Sequence, residues 1–378
     1  MKKQISIYIH WPFCLAKCPY CDFNSHVREK INQEDFNNAY LKEIDHYQEI
    51  LSTSVISSIF FGGGTPSLME PRLINNILSH LHKLSSFEPN IEITLEANPT
   101  SIESNKFKNF KASGINRVSV GIQSLNEQDL KFLGRKHSKY EALNAINLAA
   151  EIFNNYSFDL IYALPNQLPS TWAQELETAL KLAKHHISLY QLTIEKGTKF
   201  FNDYREKKFS LPNDIKATEM YNLTRAITKA HGFNDYEISN YAKENFECKH
   251  NLAYWNYEDY IGIGPGAHGR FHNNATMTFH SPEKWLEKVN LNGNGIQNFK
   301  ELNAQETIQE FVIMNIRKNQ GINKNHLRQK LNKDFLEVFS VQKIQQLKLE
   351  ELAIETSDHF MLTNKGKLLL NQIVNFLL

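Results

Sequence analysis

A chain of 378 residues exceeds a single small module, so one large domain with an appendage, or two domains, is expected. With 41% hydrophobic and 22% charged residues and no apolar run of membrane-spanning length, it reads as globular, neither disordered nor membrane-embedded. The 42 basic and 41 acidic residues leave a net charge of +1, which argues against affinity built on neutralising many phosphates, and four cysteines are too few for a disulfide scaffold.

Ile5 to Ile9 is the first predicted strand. Preceded by Met1-Lys2-Lys3, it is not expected to be a secretory signal, because His10 and Pro12 end the apolar run without a cleavage site; the reducing cytoplasm is the expected location. Cys14, Cys18 and Cys21 crowd into the next loop, whereas Cys248 stands far along the chain. Glu34 to Leu51 carries Phe36, Tyr40, Ile44 and Leu51 at helical spacing, and Val55 to Phe61 is the second strand. Gly62-Gly63-Gly64-Thr65-Pro66 breaks it, and Pro71 suits the first turn of a helix to Leu84 that carries Leu73, Ile74, Ile77, Leu78 and Leu81. Strands at Ile91 to Leu95, Arg117 to Gly121, Ser157 to Ile161 and Ile187 to Thr193 follow, separated by helices at Ile102 to Lys111, Tyr140 to Phe153 and Trp172 to Leu182.

Six such units predict an α/β fold with an incomplete (β/α)6 barrel over residues 1–211. Polar residues sit at the strand ends: the glycine run, Glu96, Gln123, Asp159 in its strand, and Thr193. In parallel β/α folds ligands bind at that edge, although any one of these residues could equally be a helix cap or turn residue. Residues 212–300 read as an additional α+β layer, with a helix at Pro212 to Ala230, an aromatic stretch from Phe233 to Tyr260 and a glycine-rich loop from Gly262 to Gly269. After the turn signal Asn292-Gly-Asn-Gly-Ile, residues 301–378 read as helices with a hairpin at Ala353 to Thr363, a winged-helix-like C-terminal domain.

In a cytoplasmic chain, clustered thiols are more often metal ligands than disulfides. A zinc site needs a fourth ligand, for which His10, His26 or Cys248 could serve; an iron-sulfur cluster on three thiolates keeps one iron free for a chelating molecule. The sequence Cys14-Leu-Ala-Lys-Cys18-Pro-Tyr-Cys21, behind Tyr8-Ile-His10-Trp-Pro-Phe, resembles the CxxxCxxC motif of the radical S-adenosylmethionine superfamily. That resemblance implies a 4Fe-4S cluster on Cys14, Cys18 and Cys21 whose open iron chelates S-adenosylmethionine; the reduced cluster gives one electron to the sulfonium, releasing methionine and a 5′-deoxyadenosyl radical. It also implies that the Gly63-Gly64-Thr65 backbone approaches the methionine amino group, with further contacts from Tyr8, Tyr20, Glu96, Gln123, Arg135, Asp159 and Thr193. Arg135 suits a carboxylate, and Glu96 and Asp159 suit a ribose hydroxyl or an amine.

The resemblance extends over almost the whole chain to the coproporphyrinogen dehydrogenase-like branch, and within it to the HemW-type heme chaperones. The dehydrogenases have a cysteine two residues after the third ligand and an N-terminal extension; here position 23 is Phe and the first strand begins almost at Met1. His250-Asn251-Leu-Ala-Tyr254-Trp255 matches HNxxYW of the chaperones, implying heme on His250 amid aromatic faces. The residues alone leave open a hydrogen-bonded structural histidine. No CxxCH is present, so covalent heme attachment of the c type is not expected. The expected task is delivery of heme to heme-requiring acceptors such as respiratory enzymes, with no nucleic-acid partner, at most peripheral membrane contact and an open oligomeric state. The alternatives are an oxygen-independent coproporphyrinogen III dehydrogenase and, more remotely, a zinc-stabilised nucleic-acid-binding protein.

Overall fold

The structure is a computed structural model that describes residues 2–100, 103 and 106–378. Among these, six strands with buried apolar residues on one side form a parallel run: β1 (Lys3–Trp11), β2 (Ser54–Gly63), β3 (Ser86–Ala97), β4 (Arg117–Gln123), β5 (Asn155–Tyr162) and β6 (His186–Gln191). Side chains alternate between the two faces of a strand. Ile5, Ile7 and Ile9 of β1 therefore share one face, and with Ile59 and Phe61 of β2 they belong to the main core. The helices α1 (Gln33–His46), α2 (Pro71–Leu84), α3 (Lys139–Ile152) and α4 (Pro169–Leu182) add Ile44, Ile77, Ile146 and Leu176 to that core. The opposite face of β1 carries Ser6, Tyr8 and His10, so the concave side of the sheet is polar.

Helix boundaries follow local chemistry. Ser138 caps α3 through a reciprocal pair with Glu141, and Pro71 and Pro169 occupy first turns, where no amide partner is lost. The helix expected over Glu34 to Leu51 is two helices, Gln33–His46 and Gln48–Thr53, broken at Tyr47. Tyr47 is buried edge-on against Phe271, 5.7 Å between rings. β3 is longer than its apolar segment and contains Glu96. The expected start of a helix at Ile102 lies outside the described residues, and regular helix there runs Phe107–Ala112.

Beyond residue 211 the chain returns to the same sheet at both edges. β7 (Asn234–Asp235) pairs antiparallel with β8 (Asn240–Ala242), which in turn pairs antiparallel with β6. β9 (Tyr260–Ile263) lies parallel to β1 on its free side, pairing Tyr8 with Gly262, and β10 (His268–Phe271), β11 (Asn274–Thr278) and β12 (Ile296–Glu301) extend that edge antiparallel. Twelve strands of the described residues thus form one sheet, seven of them parallel. A short helix, α5 (Lys249–Trp255), packs against β2 from the concave side.

The C-terminal segment begins with α6 (Ala304–Asn315), capped by Asn303 and Glu306, and forms a small antiparallel sheet from β13 (Ile322–Asn323), β14 (Ala353–Glu355) and β15 (His359–Leu362). The hairpin stands at the expected position, beside helices at Lys324–Leu331 and Val341–Leu349. This segment has its own core around Phe311, Leu327, Ile344 and Phe360, and that core also takes in Tyr257, just beyond α5.

Candidate functional site

The cysteine loop leaves β1 directly beside the glycine loop, because the parallel register sets His10 against Gly62 and Trp11 against Gly63. Gly64 and Thr65 donate backbone hydrogen bonds to Trp11 O and Phe13 O, at 2.7 and 2.8 Å, so the two loops are laced together. The Thr65 hydroxyl donates to Cys14 Sγ at 3.3 Å, and the Arg135 guanidinium to Cys18 Sγ at 3.4 Å. The Cys21 amide closes on Cys18 O at 3.2 Å. Burial pushes the Cys14 thiol up to about 11, so metal binding here must displace protons. A cleft of about 1500 Å³ opens beside Cys18 and Cys21, walled on its far side by Phe132, Phe200 and Phe209.

Asn24 anchors the loop from below. Its amide donates to Pro265 O at 2.9 Å and His280 O at 3.0 Å, while its own carbonyl meets His10 Nε2 at 2.9 Å. The glycine-rich loop after β9 therefore supports the cysteines: a Cβ on Gly266, at φ +80°, would stand 2.2 Å from Asn24 Nδ2. Glu43 holds the same loop from the helix side, accepting from Gly264 N at 2.8 Å, Gly295 N at 2.7 Å and Trp285 Nε1 at 3.1 Å. Neither Asn24 nor Glu43 was singled out by the sequence. A glutamate next to Ile44 on an apolar helix face was the available signal.

Most of the expected strand-end residues converge. Gly63 adopts φ +107°, which only glycine takes without strain, and its amide donates to Glu96 Oε2 at 3.2 Å. Gly62 fits between Tyr8 and Glu96, where a Cβ would stand 2.9 and 3.2 Å from them. Enclosure, and secondarily the charge of Asp159, raises Glu96 to about 8; enclosure also raises Asp159 to about 6, opposed by hydrogen bonds from Ser188 and Ser119 and by Arg117. Gln123 sits at φ 72° beyond a bulge in β4, its amide folded over Gly121, whose carbonyl accepts from Arg135 at 2.8 Å. Arg135 also donates to Asn98 Oδ1 at 2.7 Å, and Asn98 to Thr65 Oγ1 at 3.1 Å, so this asparagine joins the glycine and arginine halves. Tyr20 stands against the same guanidinium and Cys18. Thr193 lies past the end of β6 and is exposed.

This donor set fits a cluster with a chelating amino acid. Arg135 Nε is buried without a hydrogen-bond partner, a donor suited to a carboxylate beside the thiols.

His250 lies apart from the cysteines, on α5, with 1% of its surface exposed. Its ring stacks on Phe60 at 5.1 Å and stands 6.3 Å from Tyr8. Nδ1 meets Ser58 Oγ at 2.9 Å, and Nε2 meets the Tyr254 hydroxyl at 2.9 Å. Ser58 donates its own proton to Ser6 Oγ at 2.8 Å, so it accepts from His250. That assigns the proton to Nδ1 and the lone pair to Nε2. Burial, with the Arg117 charge adding to it, lowers His250 to about 3 and keeps the ring neutral. Cys248 is buried and donates to Glu92 at 3.3 Å, within a polar interior that also holds Arg117.

Comparison with known proteins agrees with this geometry. Residues 8–179 match the Radical SAM superfamily, and residues 302–369 match the HemN C-terminal domain. A protein named heme chaperone HemW from Buchnera aphidicola is 37% identical over 99% of this chain and 98% of its own length, and its Bacillus subtilis namesake is 32% identical over 97% of each. The mitochondrial radical S-adenosyl methionine domain-containing protein 1 of Danio rerio is 38% identical over 85% of this chain and 75% of its own. In fold, the chain superimposes on the coproporphyrinogen III oxidase HemN of Escherichia coli with a TM-score of 0.84, at 22% identity over 99% of this chain and 90% of that one.

Proposed function

The chain belongs to the HemW-type branch of the radical SAM superfamily, and on that premise we propose that it binds heme and delivers it to heme-requiring acceptor proteins in the cytoplasm. The observation that carries this reading is the state of His250: neutral, fixed by Ser58, and with the Nε2 lone pair directed at a single displaceable hydroxyl. Histidines that bind metal through one nitrogen are usually oriented by a hydrogen bond at the other, and Ser58 supplies that bond. Heme ligation here requires Tyr254 to swing off Nε2.

Cys14, Cys18 and Cys21 would hold a 4Fe-4S cluster, and Arg135, Glu96, Asp159, Gln123, Tyr8 and Tyr20 would surround S-adenosylmethionine against the Gly63-Gly64-Thr65 backbone. Bound there, the pair supplies one-electron chemistry at a sulfonium. The residues themselves act electrostatically: Arg135 with its free Nε pairs with a carboxylate, and Glu96, with its raised pKa, accepts from the glycine amide while facing an amine or hydroxyl. Phe23, where the dehydrogenases have cysteine, is 58% exposed and offers no further ligand. Among the described residues no helix is long and apolar enough to cross a membrane.

Heme titration of the anaerobically reconstituted protein tests this reading. We expect saturable binding with one Soret-absorbing heme per chain, strongly weakened by His250→Ala while the iron-sulfur spectrum persists. Multiple-turnover conversion of coproporphyrinogen III to protoporphyrinogen by the same preparation, with S-adenosylmethionine and reductant, would instead support the dehydrogenase and overturn the chaperone reading.

A further inference from the structure

Three side chains from three strand ends link Cys14 to Cys18 in one hydrogen-bonded arc. Thr65 lies past β2, Asn98 immediately past β3, and Arg135 past the short helix that follows β4. Thr65 donates to Cys14 Sγ at 3.3 Å, Asn98 Nδ2 to Thr65 Oγ1 at 3.1 Å, and Arg135 to both Asn98 Oδ1 at 2.7 Å and Cys18 Sγ at 3.4 Å.

The chemistry of the groups fixes the direction of each proton in this arc. A guanidinium only donates, so the oxygen of the Asn98 amide faces Arg135 and its nitrogen faces Thr65. The threonine oxygen therefore accepts from Asn98, and its single proton is left for Cys14. Both ends of the arc present a donor to a sulfur. Asn98 is itself held in place: its backbone amide donates to Glu103 Oε2 at 3.2 Å, and the fully buried Glu103 also accepts from Ser67 and, at 3.1 Å, from Thr100. Gly121 O holds the guanidinium from the other side at 2.8 Å. Thr65 is buried, so its bond to sulfur acts with little screening by water.

Resting on the assignment of the cluster to Cys14, Cys18 and Cys21, we propose that Asn98 is a positioning residue that sets the reduction potential of that cluster. It acts through its two neighbours, turning the Thr65 hydroxyl onto one thiolate and holding the Arg135 guanidinium on another. Hydrogen bonds to the ligand sulfurs are among the determinants of iron-sulfur potentials, and donors there favour the more negative, reduced state. In that one-electron step an external reductant, dithionite in the test below, supplies the electron, and Thr65, Asn98 and Arg135 keep their protons.

The test is a dithionite titration of the anaerobically reconstituted full chain, without S-adenosylmethionine, followed by electron paramagnetic resonance. Iron and acid-labile sulfide are measured on every preparation. Valine keeps the shape of threonine without its hydroxyl, so Thr65→Val is expected to lower the midpoint potential by about 59 mV, a tenfold shift in a one-electron equilibrium. Thr65→Ser, which retains the hydroxyl, is expected to match the wild type. In Asn98→Asp the carboxylate still accepts from Arg135 but has no proton for Thr65, so the hydroxyl turns from Cys14 to the carboxylate. The potential of Asn98→Asp is expected to fall at least as far as that of Thr65→Val. Introduced into Thr65→Val, where no hydroxyl remains to be turned, the same change is expected to have a smaller effect. Equal shifts from Asn98→Asp in both backgrounds would reduce it to a through-space charge effect and overturn the proposal. If Asn98→Asp loads no cluster, the threonine pair carries the test alone, and equal potentials for Thr65→Val and Thr65→Ser overturn the proposal while the cluster assignment stands. A wild type that takes up no four-iron cluster would remove the assignment itself.

Discussion

Replacing Ser58 by Ala removes one oxygen from a site that touches neither iron nor cysteine, yet it should weaken heme binding. Ser58 is fully buried and is the acceptor for the His250 Nδ1 proton. Without it the imidazole has two choices, both unfavourable. It can keep the proton on Nδ1 with no acceptor, at about 1–3 kcal/mol for an unsatisfied buried donor. It can instead move the proton to Nε2, where it points at Tyr254 and blocks the iron position. Loss of an outer partner of a metal-bound histidine costs about 10–100-fold in metal affinity. Heme affinity of Ser58→Ala should therefore fall by that range, with a loss of apo-protein stability of about 1–3 kcal/mol. Soret titration, alongside thermal unfolding of the same preparations, measures both. Retained heme affinity to within about twofold in a folded Ser58→Ala protein would refute the assignment of Nε2 as the ligand.

Gly266→Ala should lower the iron bound per chain after anaerobic reconstitution although no cysteine is altered, because its Cβ would collide with Asn24 beneath the loop; iron content equal to wild type would separate that loop from the cluster. Serine at Cys14, Cys18 or Cys21 should abolish iron and acid-labile sulfide, whereas Cys248→Ser, remote and bonded to Glu92, should retain both; zinc without iron in the wild type would remove the cluster. Glu96 is a carboxyl raised from 4.5 to about 8, so its neutral form is the one the fold favours. Its contribution to stability is complete below pH 4.5 and is lost as pH rises through 8. The ligand-free protein should therefore melt at lower temperature as pH rises across that window, and Glu96→Gln should flatten the slope. A parallel pH dependence in the two proteins would contradict the raised pKa.

The parts of the site that the sequence displayed are those whose chemistry is local. Three thiols within eight residues and a glycine run at a strand end are visible because spacing and backbone requirement lie within one loop. The strand-end rule then placed Glu96, Gln123 and Asp159 on one edge, and the structure brings them together. Thr193 stands two residues past the end of β6 and is exposed. What remained hidden depends on pairings between distant residues. Asn24 bonds to a carbonyl 241 residues away, and Ser58 to a histidine 192 residues away, and neither leaves a periodic mark. β9 was obscured for a related reason. Its Tyr260-Ile-Gly-Ile segment is short and runs from an aromatic stretch into glycines, so only its register against β1 identifies it as a seventh parallel strand.

The most direct measurement of the central claim is heme transfer. Protein loaded with one equivalent of heme is mixed with a heme-free respiratory cytochrome, separated by size, and the absorbance of each fraction is read. The account predicts that heme moves to the acceptor faster than from free heme plus albumin, and that His250→Ala, which binds heme only weakly, gives no such acceleration. A loaded chain that retains its heme in the presence of the acceptor, or a His250→Ala protein that transfers as well as wild type, would contradict it.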